Sequence, residues 1–142
     1  MFKEILIAVD LGQDASWRKA LPFAVEMARN FSAKLHVMTV VPDSGFHYVS
    51  QFFPAGYEER MIAEAETTLH EFVGKHVSAG IKVQHIVAHG SIYREIVSAA
   101  REIGADAVVM ASHTPDLTDV VIGPNAERVL HHVKCSVFVI RE

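Results

Sequence analysis

The chain has 142 residues, half of them hydrophobic, with thirteen Lys and Arg against seventeen Asp and Glu and a formal net charge of −4. That length fits a single domain spanning 1–142, and the lone cysteine, Cys135, excludes an internal disulfide. No dense basic cluster provides a nucleic-acid footprint, and no apolar run approaches the about 20 residues of a membrane span or forms a signal-peptide core. The expectation is therefore a cytoplasmic protein with no nucleic-acid partner and no membrane insertion.

Ile5-Leu6-Ile7-Ala8-Val9 is short, branched and continuously apolar, as in a strand buried on both faces. Asp14 is placed to cap the next segment, where Ala20, Ala24, Met27, Ala28 and Phe31 fall on one helix face. A second strand is expected over Lys34 to Val41. Pro42 to Gly56 is irregular but carries Phe46, Tyr48, Phe52 and Phe53; its rings suit packing against the domain or a second subunit, or a lid. Tyr57 to Val77 has helical spacing and runs into Ser78-Ala79-Gly80, with Gly80 suited to the C′ position. The strand Val83 to Ala88 is followed by His89-Gly90-Ser91, with Ser91 positioned as an N-cap. Ile92, Ile96, Ala99, Ala100 and Ile103 repeat as a helix face that Gly104 ends. Ala107-Val108-Val109-Met110 is another buried strand. A loop from Ser112 reaches Gly123 and Pro124, and Pro suits the first turn of a helix. In that helix Ala126, Val129, Leu130 and Val133 face inward, and Val137-Phe138-Val139-Ile140 is the last strand, with Cys135 read as a buried thiol beside it.

Alternation of buried strands with helices implies an α/β domain: a Rossmann-like three-layer sandwich around a five-stranded parallel sheet. Right-handed crossovers favour strand order 3-2-1-4-5. Ligands in such folds sit beyond the carboxyl ends of the strands, where the order reverses. That places Ala8 to Leu11 opposite Met110 to His113, with Val40 ending the neighbouring strand. Asp10 is aimed at this cleft, where a ribose hydroxyl, a metal or a backbone amide could satisfy it; a loop-capping role is the plainer alternative. The loop through Gly123, Pro124 and Asn125 opens a helix, whose free amides favour an anion such as phosphate, or it is an ordinary capped turn. Pro124 removes one of those amides. His113 lacks a Ser or Cys partner at a recognisable spacing and reads as a hydrogen-bonding loop residue. His131-His132 suits a helix C-terminus, and no Cys/His pattern indicates a metal site. No catalytic residue is assigned.

Several segments resemble the universal stress proteins. Ile5 to Asp10 is similar to the family's ILVPVD strand, and Gly104 to His113 to its GADLIVMGSHG. Gly123 to Leu130 resembles GSVAERVL, and Cys135-Ser136-Val137 resembles the start of CPVLVV. In the family's G-2x-G-9x-G-[ST] pattern, Ala111 stands at the first Gly, Thr114 at the second, Gly123 at the third and Pro124 at the Ser/Thr, with the second spacing one residue shorter. The segment is closer to the F/G-like subgroup. The resemblance covers the whole chain and implies ATP as the ligand. Adenine and ribose contacts would fall on Ala8, Asp10, Val40 and Met110, and phosphate contacts on Ser112, His113, Gly123 and Asn125; Gly90 matches a glycine at the mouth of the cleft.

The function expected is an ATP-binding regulatory or stress-response module without efficient catalysis. The alternatives are a nucleotide-free interaction module and a slow ATP hydrolase. There is no Walker lysine motif, no His-x-Gly-His signature, and no Asp or Lys at the strand ends where a phosphoacceptor receiver needs them. The apolar last strand is expected to form a homodimer, with a tetramer as a further step, and an unidentified protein partner is open.

Overall fold

The computed structural model describes residues 1–42, 55–112 and 124–142. The continuous apolar runs form the strands, because helices cover both faces of the sheet. In chain order the elements are β1 (Glu4–Ala8), a 3₁₀ turn (Asp14–Ser16), α1 (Ala20–Phe31), β2 (Lys34–Pro42), α2 (Tyr57–His76), β3 (Val83–Gly90), α3 (Ile92–Ile103), β4 (Ala107–Ser112), α4 (Pro124–His132) and β5 (Ser136–Arg141). The sheet order is β3-β2-β1-β4-β5 and all pairings are parallel, as the alternation predicts.

The period-two pleat sends alternate strand residues to two cores. Ile5, Ile7, Leu35, Val37 and Val109 pack with α1 and α2, joined by Leu21, Leu69 and Phe72. Leu6, Met38, Val108 and Met110 pack with α3 and α4 against Ile96, Ala100 and Val129. On the same side of β2 as Met38 stands a buried polar group, His36. It is buried in β2, with Nε2 at 2.7 Å from Glu4 Oε2 and Nδ1 against Gln84 Oε1 on the flanking strands, so each ring nitrogen has a polar neighbour.

Several local expectations change. Asp14 does not cap α1. It opens the 3₁₀ turn, where its carbonyl accepts the amides of Trp17 and Arg18, and the α1 N-cap is Lys19 with no side-chain bond. Ser91 stands at the N-cap of α3 but makes no side-chain cap bond. α2 ends at His76 with Val77 as C-cap, so Gly80 serves the following turn at φ 96° rather than the helix end. Phe31 and Leu130, expected on inner faces, are 43% and 44% exposed; the Phe31 ring instead meets Phe2 edge-on at 5.2 Å. Cys135 precedes β5 and is only half-buried. Burial is nonetheless what raises its thiol pKa. The aromatics expected in the irregular stretch, Phe46 to Phe53, lie outside the described residues.

Candidate functional site

β1 and β4 pair through Ile5, Leu6 and Ile7 against Ala107, Val108 and Val109, and the next described helices after them, α1 and α4, pack on opposite faces of the sheet. Divergence opens a crevice beyond the strand ends. A cavity of about 290 Å³ occupies it. Its walls are Ala8 ending β1 with Val9 and Asp10 just after it, Val40 and Pro42 on β2, and Met110 and Ala111 on β4. Ile92 and Ile96 of α3 close one side, Ser16 another, and the first residues of α4, Pro124, Asn125 and Ala126, a third.

Most of this lining is apolar, and among the described residues Asp10 is its one charged side chain. Ser16 fixes the Asp10 backbone: its Oγ accepts the Asp10 amide at 2.8 Å and lies 2.7 Å from the Gln13 carbonyl oxygen, the better placed of two carbonyls to take its proton. The Asp10 carboxylate accepts the Gly12 amide through Oδ1 at 3.0 Å. One oxygen thus serves the loop, and Oδ2 has no hydrogen bond among the described residues. Asp10 is exposed, so that oxygen is open to a hydroxyl donor. Ile92 is 37% exposed although it belongs to the cavity wall, which leaves apolar surface available to a flat ligand.

Of the residues expected at the site, Ala8, Asp10, Val40, Met110 and Asn125 meet around this cavity. Gly90 and Ser112 end β3 and β4 but do not line it. Gly90 has φ 139°, and a Cβ there would stand 2.9 Å from the Glu95 carboxylate, so the position needs glycine on two counts. His113 and Gly123 lie outside the described residues. Sequence reasoning missed Ser16, Pro42, Ile92 and Ile96. For Pro42 the usable signal was register, since it pairs with Gly90 at the end of β2. For Ile92 and Ile96 it was the i, i+4 pair that begins α3. Among the described residues no cluster of three or more His, Cys, Asp or Glu is placed to hold a metal, and no helix is long and apolar enough to cross a membrane.

Residues 1–141 match the universal stress protein family. The chain belongs to that family. Universal stress protein G of Escherichia coli O157:H7 is 29% identical over 143 residues, covering 99% of this chain and 100% of the relative. The universal stress protein UspA from Lactobacillus plantarum superposes with a TM-score of 0.73 at 24% identity, covering 99% of this chain and 98% of that one. A universal stress protein solved in complex with cAMP gives a TM-score of 0.70 at 22% identity, covering 99% of this chain and 97% of the other. These two structures share the fold of the present chain.

Proposed function

We propose that this universal stress protein binds an adenine nucleotide, ATP foremost, in the cavity between β1 and β4, and that it acts in the cytoplasm as a regulatory module through nucleotide occupancy. The observation that carries the reading is the convergence of Ala8, Asp10, Val40, Met110 and Asn125 on one cavity at the strand-order reversal. A family member solved with cAMP supports it. In this reading the base lies against Ala8, Val40 and Met110, a ribose hydroxyl donates to Asp10 Oδ2, and the phosphates meet Asn125 at the start of α4 together with Ser112, His113 and Gly123.

A ligand at about one hundred times its dissociation constant raises stability by about 2.7 kcal/mol. Thermal unfolding with ATP, ADP, AMP, cAMP and GTP tests the proposal. Adenine nucleotides are expected to raise the midpoint in wild type and to do so less in Asp10→Ala. If no adenine nucleotide shifts the midpoint, and denatured protein fresh from cells releases none, the nucleotide-free interaction module is the better reading.

A further inference from the structure

Away from the cleft, α3 and α4 lie side by side on the outside of the sheet, and the surface between them is concave. Two adjoining hollows form a furrow there. One, of about 290 Å³, is bounded by Val97, Arg101, Val133 and Lys134. The other, of about 250 Å³, is bounded by Tyr93, Arg94, Val97 and Arg101. Val97, Arg101 and His132 border both, so the furrow is continuous. Between Tyr93 and Gly104 it follows α3 for about 16 Å at 1.5 Å per residue.

In a chain with net charge −4, this face is cationic. Arg94, Arg101, Arg128 and Lys134 are exposed, and among the described residues none of them pairs with a carboxylate. Arg128 and Arg94 sit over the Tyr93 ring at 5.1 and 5.7 Å, and Arg94 Nε donates to the Tyr93 hydroxyl at 3.0 Å. These contacts hold the Arg94 guanidinium at the rim at reduced entropic cost, whereas Arg128, like Glu127, does not itself line the furrow. His132 directs Nδ1 to the Arg128 carbonyl at 2.7 Å, so Nδ1 carries the proton and Nε2 is left for the furrow. The nearby acids are engaged elsewhere or stand outside: Asp106 accepts the Lys3 and Glu4 amides, Glu95 lies over Gly90, and Glu102 and Glu127 do not line the furrow.

We propose that this furrow docks an extended acidic segment of a partner protein. Arg94 and Arg101 are two helical turns apart, about 10 Å, and an extended chain in the polyproline II conformation, with three residues per turn and about 3.1 Å per residue, returns a side chain to the same side after about 9 Å. Carboxylates three residues apart therefore meet both guanidiniums, with half-buried Val97 as an apolar floor between them. A second copy does not fit as a two-fold partner, because an isologous contact sets these cations against themselves. Nucleic acid fits poorly, because the molecule around the furrow is net negative.

The test uses a fluorescein-labelled nonapeptide with glutamates three residues apart, followed by fluorescence anisotropy. Saturable binding that weakens with added salt is expected. The Arg94→Glu, Arg101→Glu double variant is expected to weaken it by at least about tenfold. Arg60→Glu, Lys75→Glu on α2 makes the same charge change and is expected to leave it intact. Val97→Trp fills the floor without altering charge and is expected to weaken binding too, which decides the matter should the double variant misfold. Four results overturn the proposal: no saturable binding up to about millimolar protein, equal binding of a lysine counterpart peptide, equal weakening by the α2 reversal, or tighter competition by duplex DNA.

Discussion

Asp106 fastens the start of the central strand. Its Oδ2 accepts the Lys3 and Glu4 amides at 2.7 and 2.8 Å, and its own amide donates to the Glu4 carbonyl at 2.8 Å. The Glu4 and Lys3 amide bonds draw its carboxyl pKa below the ordinary 3.8. A carboxylate depressed on folding adds stability above its unfolded pKa and loses it as pH falls through the folded value. Asp106→Asn is therefore expected to cost about 1 kcal/mol near neutral pH, discounted for solvent exposure. That cost should shrink toward pH 3, and urea unfolding at both pH values measures it. The preceding Gly104, at φ 63°, closes α3 while the Ala105 amide returns to the Ala100 carbonyl. The Gly-Ala-Asp triplet thus ends a helix and ties β1 in three residues. Only its glycine was legible in advance, since Asp106 acts on a segment at the other end of the chain. Asp10 was legible as an acid at a strand end, but its dual position was not: one oxygen bonds the loop amide of Gly12, and the other faces the cleft.

Among the elements, α2 docks on the edge strand β3 partly through a ring pair, His70 stacked on His85 at 3.7 Å between centroids. Desolvation, and then the neighbouring His70, lower the His85 pKa below 6.5. A histidine depressed on folding leaves stability intact above its unfolded pKa and removes it as pH falls through the folded one. The urea midpoint is expected to drop between about pH 7 and pH 5. His85→Phe keeps the ring stack without a titrating group and should flatten that slope; an unchanged slope refutes the assignment. The strands were readable because burial on both faces writes continuous apolar runs. Helix ends were read less well. Asp14 and Ser91 are good capping types, but a cap bond depends on where the following amides point, and neither side chain makes one. Ile92 and Ile96 were visible as a helix face, yet their place in the cleft wall follows from how α3 packs, which periodicity does not encode.

For the whole molecule, the order β3-β2-β1-β4-β5 leaves β5 hydrogen-bonded, among the described residues, to β4 alone. Val137 to Ile140 are half-buried and carry no Lys or Pro to blunt the edge. A homodimer through this strand is the expected closed solution. Val139→Pro should convert it to monomer or to insoluble protein. Size exclusion with light scattering decides it: a monomeric wild type at micromolar concentration, or an intact dimer in the variant, refutes the pairing. The same strand order also sets a sequence in time. β1 leaves the ribosome first and can pair with β2 almost at once, but its other neighbour is β4, about a hundred residues later. Contacts that distant form slowly, and domains emerge N-terminus first. The crevice lacks its Met110 and Ala111 wall until β4 arrives, and α4 contributes its share later still. A nascent chain short of β4 therefore offers no completed cavity, and a ligand of the cleft would meet a full set of walls only in chains that have closed their sheet.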